Sequence, residues 1–169
     1  MSSLRQYEQK TPTNLQFTPE SLAEIAKHRK KYPDRGAALL PTLYVAQAQF
    51  GFISPEVMAL VAKTLDLPET RVREVATWYT MFHKKPIGRY NVQVCSNISC
   101  HLCGADALVE ALKTHLGIKV GETTKDGKFT LSEVECLASC GSAPCMQVNM
   151  TYHEHLTAEK AIQILKNLP

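Results

Sequence analysis

Four cysteines stand in two pairs: Cys95 and Cys100 with four residues between them, Cys136 and Cys140 with three. Each pair follows a strand-like run, and a helix-sized segment separates the two. Four thiolates arriving from two loops are the donor set a [2Fe–2S] cluster takes, one pair to each iron. Such a centre moves single electrons. It also carries net negative charge, which a protein must meet with donors. A helix expected just after Cys100 would aim free N–H groups at the site. Small residues at Ser139, Gly141, Ser142 and Ala143 would let the second loop's backbone N–H groups approach the sulfurs.

Other assignments of the six cysteines compete with this one. Cys95, Cys100 and Cys103 followed by one distant cysteine have the plant-type ferredoxin spacing. That reading puts Cys103 in the first turn of a helix and splits Cys136 from Cys140 without reason. Cys100 and Cys103 have a zinc-like spacing, but the x4 and x3 gaps of the two pairs are unusual for zinc ribbons. A dithiol at Cys100 and Cys103 would leave Cys95, Cys136 and Cys140 without a role. A disulfide framework suits a small secreted chain, and this sequence has neither the size nor the leader of one. Cys103 and Cys145 are expected to be small buried residues.

The elements that must position these thiols follow from periodicity. Residues 1–16 are polar and read as a flexible arm. Residues 17–86 read as four short amphipathic helices in a bundle. Thr18 with Pro19 and Ser54 with Pro55 are helix starts. The expected apolar stripes are Leu22, Ile25 and Ala26; Leu39, Leu43, Ala46 and Phe50 over 37–50; Val57, Leu60, Val61 and Leu65; and Val72, Val75, Ala76, Tyr79 and Phe82. Trp78 is expected in the bundle core. Lys84 to Gly88 is a linker by composition. In residues 87–169 the period changes. Tyr90, Val92 and Val94 form a strand ending at Cys95, and 102–116 reads as one helix capped by Gly117. Phe129 and Leu131 alternate before Val134 and Cys136 change parity, which predicts a bulge near Ser132 and Glu133. Met146 and Val148 mark a strand, Asn149 a hairpin, and Thr157 the start of a last helix burying Ile162, Ile164 and Leu165. The fold class expected is α+β (α/β), a helical bundle followed by a small sandwich.

Composition excludes several functions. Hydrophobic content is 44%, charged content 21%, and net charge +3. Nothing here suggests nucleic acid, no apolar run reaches membrane-span length, and the N-terminus has no secretory core. The expected location is therefore cytoplasmic. No two glycines are separated by one residue, so there is neither a dinucleotide fingerprint nor a P-loop. A chain that holds a cluster but no nucleotide site can carry electrons, while hydride chemistry falls to a partner.

Two segments carry a resemblance: Val94-Cys95-x4-Cys100-x-Leu102-x-Gly104, and Cys136-Leu137-x2-Cys140-x2-Ala143-Pro144-x3-Val148-Asn149. They resemble the thioredoxin-like [2Fe–2S] subunit of NADH:quinone oxidoreductase (respiratory complex I), the E-type chain of the bacterial complex. Gln49-x-Gly51-x-Ile53-Ser54 and Val75-Ala76-Thr77-Trp78-Tyr79-x-Met81-Phe82 are similar to that family's helical N-terminal region. The likeness runs from about residue 17 to the end. It implies a thioredoxin-like [2Fe–2S] ferredoxin domain after the bundle, with Cys95, Cys100, Cys136 and Cys140 as cluster ligands and no catalytic residue in this chain. It implies a hetero-oligomeric partner, the flavoprotein that binds FMN and NADH, and a place at the cytoplasmic side of the inner membrane. The cluster would take one electron of the hydride pair, off the main path. The diaphorase module of an NAD-linked hydrogenase or formate dehydrogenase, and a free-standing thioredoxin-like ferredoxin, are the alternative roles. Two departures stand out. The family usually has Gly where Ala138 stands, so a left-handed backbone there would be strained. Cys103 and Cys145 fall where the family commonly has other residues, and each is placed to compete for iron in a damaged cluster.

Overall fold

The computed structural model describes residues 15–169, so most of the arm expected over 1–16 lies outside the described residues. The chain divides into two compact units, one ending at Pro86 and one beginning at Ile87.

The first unit is helical. Thr18 caps α1 (Pro19–Lys31) by accepting the Ser21 N–H, and cations fill its last turn. Of its expected stripe only Ile25 is buried; Leu22 and Ala26 are exposed. This helix packs mainly on α2 and the 3-10 turn before it, so it presents a narrow strip rather than a face. That turn, Arg35–Ala38, leads into α2 (Leu39–Phe50). Pro41 sits in the first turn of α2, where its missing N–H costs no hydrogen bond. Gly51 ends the helix at φ 82°. Ser54 caps α3 (Pro55–Leu65) through the Val57 N–H, and α4 spans Glu69–Trp78. Leu39, Leu43, Val57, Val61, Leu65, Val72 and Ala76 fill the core.

Trp78, expected in that core, is 80% exposed. It follows buried Ala76 by two positions, about 200° round a helix, and so faces away. The helix then stops, and Tyr79 turns extended and stays partly exposed. Phe82 reaches the core from the following loop, edge-on to Tyr44 and Tyr79.

The second unit is a mixed sheet with helices. Its strands are β1 (Tyr90–Cys95), β2 (Phe129–Val134), β3 (Met146–Val148) and β4 (Thr151–His153). Their order is β2-β1-β3-β4, with β1 parallel to β2 and the other neighbours antiparallel. Parallel pairing needs a crossover, supplied by α5 (Ile98–Leu102) and α6 (Ala105–Leu116). The last helix, α7 (Ala158–Lys166), is capped by Thr157 and packs on α6. Val92, Val94, Leu131 and Met146 of the sheet meet Leu108, Leu112, Ala161 and Leu165 of these helices. Each large apolar side chain among them contributes roughly 1.5–3 kcal/mol by leaving water. Ile162 and Ile164, expected to be buried, are only partly so.

Two expectations are corrected here. The helix expected over 102–116 begins only at Ala105, after Gly104 at φ 94°, and Leu102 instead ends a separate short helix that Asn97 starts and that contains Cys100. No bulge occurs near Ser132: β1 and β2 pair without interruption from Tyr90↔Phe129 to Cys95↔Val134. The change of parity arises because β2 ends at Val134, so Cys136 lies in the loop beyond it. Among the described residues, no helix is long and apolar enough to cross a membrane.

Candidate iron–sulfur site

The parallel pairing of β1 and β2 sends both cysteine loops from the same end of the sheet. Cys95 closes β1, and Cys100 lies one turn into α5, which Asn97 caps by accepting the Ile98 N–H. Across the sheet Cys145 immediately precedes β3, and its carbonyl accepts the Cys95 N–H at 3.2 Å. The Sγ atoms of Cys95, Cys100 and Cys145 all lie within 4.8 Å of one another. Cys100 and Cys145 are 3.9 Å apart. These three residues are 2%, 1% and 0% exposed. Ala105 and Leu137 pack around them.

The second loop is held differently. The Ser96 N–H donates to the Val134 carbonyl at 3.0 Å and Asn97 Nδ2 to the Glu135 carbonyl at 3.1 Å, which ties the two loops together. Cys136 and Cys140 are exposed. Ala138 adopts φ 56°, the left-handed backbone that makes an alanine there a source of strain. In that conformation its N–H donates to the Cys136 sulfur at 3.2 Å. Ser139 and Ser142 are joined at 2.7 Å, and both hydroxyls donate to Glu154. The Tyr152 hydroxyl donates to the Leu137 carbonyl at 3.0 Å.

The thiols feel opposed influences. Burial pushes the Cys95 thiol up, but the Asn97 and Leu137 backbone N–H groups and the neighbouring thiols outweigh it and hold it below its ordinary value. Burial raises Cys100. Cys145, buried beside both, is pushed up to about 12.

The expected ligands thus divide. Cys95 and Cys100 are brought together. Cys136 and Cys140 stand outside that tight group, on the loop stitched to it. Opposite pairs of a two-iron centre sit on different irons, so the second pair is not required to join the first. Cys103 was expected to be buried and is exposed, because it caps α5 just before the Gly104 break. Cys145 is buried as expected, but its place beside the first pair was missed; only its antiparallel position across from the end of β1 puts it there. The donor chemistry, soft sulfur with no carboxylate or imidazole in the group, fits an iron–sulfur centre.

The sequence model for "Thioredoxin-like [2Fe-2S] ferredoxin" matches residues 25–169. The chain belongs to this family. Its mixed sheet and crossover helices are the family's thioredoxin-like fold, preceded by the helical unit, and the gathered thiols fit the one [2Fe–2S] centre that the family name carries. The chain is 47% identical over 144 residues to the second E-type subunit of NADH-quinone oxidoreductase from Rhizobium meliloti (strain 1021), covering 85% of this chain and 86% of that one. It is 43% identical to the E-type subunit of NADH-quinone oxidoreductase from Rickettsia conorii (strain ATCC VR-613 / Malish 7), covering 92% and 95%. Among solved structures, an NAD+-reducing [NiFe]-hydrogenase in its air-oxidized state superposes with a TM-score of 0.65 at 21% identity. That likeness covers 76% of this chain and 22% of the hydrogenase chain, and it is one of fold.

Proposed function

We propose that this thioredoxin-like [2Fe–2S] ferredoxin is the electron-transfer subunit of the NADH dehydrogenase module of an NADH:quinone oxidoreductase. Residues 87–169 form its cluster domain and 17–86 its helical docking domain. Cys95, Cys100, Cys136 and Cys140 hold the cluster. The partner is the flavoprotein that carries FMN and NADH, with which the cluster domain exchanges single electrons, and the assembly lies at the cytoplasmic side of the membrane. The observation that carries this reading is the meeting of Cys95 and Cys100 at the end of β1, with the loop of Cys136 and Cys140 stitched beside it. Relatives at 43–47% identity over most of their length, each a subunit of an oxidoreductase by name, support the complex over the hydrogenase alternative.

A [2Fe–2S] centre supplies a one-electron donor and acceptor. The chain's own groups prepare its surroundings. The Ala138 N–H donates to the Cys136 sulfur, and the Asn97 and Leu137 backbone N–H groups favour charge on Cys95. Fixed donors of this kind favour charged sulfur and set how readily added negative charge is accepted. Ala105, Leu137 and Cys145 keep the base of the site dry, while the rim at Cys136 and Cys140 stays open to a partner.

Anaerobic purification with iron and sulfide analysis, and EPR after dithionite reduction, tests the reading. The expected result is a [2Fe–2S] content per chain with a spin-half signal. Cys103→Ser keeps it; loss of the cluster in that variant would restore the plant-type assignment. A metal-free chain that fails reconstitution would overturn the proposal.

A further inference from the structure

Cys145 is not needed by the four-thiol assignment, yet it lies closest to the site's buried base. Two thiolates bound to one ion at ~2.3 Å each stand ~3.8 Å apart at a tetrahedral angle and ~4.0 Å apart at a trigonal one. The Cys100 and Cys145 sulfurs stand at 3.9 Å, and Cys95 completes a triangle with no side longer than 4.8 Å. The three sulfurs thus gather within reach of a single ion, with Cys100 and Cys145 already at the spacing it sets. Among the described residues it has no fourth cysteine, histidine or carboxylate within the group. Its members are almost fully buried, which keeps a water ligand out.

We infer that Cys95, Cys100 and Cys145 form a second metal site, a three-thiolate pocket for a single soft monovalent cation, Cu(I), available in the chain before its cluster is assembled. Ligand number and softness select the metal. Zinc in a structural site takes four protein ligands, and this site offers three. Thiolates prefer Cu(I) among the soft alternatives, and a dry three-coordinate site suits an ion that does not demand a fourth ligand. Because the site uses Cys95 and Cys100, copper and cluster exclude each other. Cys145 therefore makes assembly of the cluster sensitive to copper, while the exposed Cys136 and Cys140 stay outside the copper site.

The test titrates the full-length, cluster-free chain with Cu(I) against a chromophoric Cu(I) chelator, under anaerobic conditions. One Cu(I) per chain is expected, with none bound at that affinity by the cluster-loaded chain. Cys145→Ala and Cys145→Ser should each weaken binding ~100-fold or more, beyond the ~10–100-fold that loss of an outer-shell partner costs. Both variants should still take up a [2Fe–2S] cluster. Cys136→Ala should bind Cu(I) as the parent does but hold no cluster. Undiminished Cu(I) affinity in both Cys145 variants, or an equal loss in Cys136→Ala, would overturn the inference. A Cys136→Ala chain that kept its cluster would instead count against the four-ligand reading and leave the copper site standing.

Discussion

The two cysteine loops reach the same end of the sheet by different means. Cys95 and Cys100 are set by a strand end and a helix, deep against Cys145, Ala105 and Leu137. Cys136 and Cys140 stand in the open, on a loop shaped by side chains: Tyr152 holding Leu137, Glu154 holding Ser139 and Ser142, and one left-handed residue at Ala138. The loop of Cys95 and Cys100 is therefore part of the fold, whereas that of Cys136 and Cys140 is an attachment to it. Under the proposed ligand set, the rigid half would fix where the metal goes, and the open half would leave sulfur near the surface, where electrons would cross to a partner.

The largest effects should separate the halves most sharply. Replacing any of Cys95, Cys100, Cys136 or Cys140 by Ala should abolish or distort the cluster, read as iron and sulfide content. Only Cys95→Ala and Cys100→Ala should also destabilise the metal-free chain, by about 1 kcal/mol in urea unfolding, since only they leave a hole in packed surroundings. Equal unfolding curves for all four would erase the contrast.

Next, Tyr152→Phe removes the hydroxyl that binds the Leu137 carbonyl. A loss of about 1 kcal/mol is expected, with a broadened EPR signal as the second loop loosens. An unchanged line shape would show that the loop does not depend on this tie. Ala138→Gly should act in the opposite direction. It relieves a left-handed alanine and should stabilise the chain by about 1 kcal/mol, read as a higher urea midpoint at unchanged slope.

The smallest effect concerns pH. The Ser139 and Ser142 hydroxyls that donate to Glu154 hold its carboxyl below the ordinary 4.5. A group lowered on folding contributes stability that is full above 4.5 and is lost as pH falls through the lowered value. Acid unfolding followed near the loop should therefore begin earlier in the parent than in Glu154→Gln, relative to each chain's stability at neutral pH. Superimposed acid profiles would remove Glu154 from the brace.

Much of this was readable from residue order because it is local. Thr18, Ser54 and Thr157 each cap the helix their side-chain chemistry announces. Alternation at Tyr90, Val92 and Val94 marked β1, and the spacing of the cysteines marked the site. What escaped depends on neighbours distant in sequence. Cys145 joins Cys95 and Cys100 only through the antiparallel pairing of β1 with β3, and no period along the chain encodes that contact. The parity change after Leu131 was compatible with a bulge or with a strand end, and pairing to β1 chose the end. Trp78 looked like core because aromatic residues usually are, but where α4 stops decides which side chains face inward.

The parallel pairing of β1 with β2 also imposes an order in time. Cys95 and Cys100 are synthesised first, and the loop bearing Cys136 and Cys140 meets them only after α5, α6 and the whole of β2 have been made and docked. Non-local pairings of this kind form late, since a long stretch of chain must close before any contact rewards it. On the proposed four-thiol assignment, the centre would thus act as a checkpoint on its own scaffold. It could be completed only on a chain that has docked β2 beside β1, and colour in the purified protein would certify that pairing as well as metal.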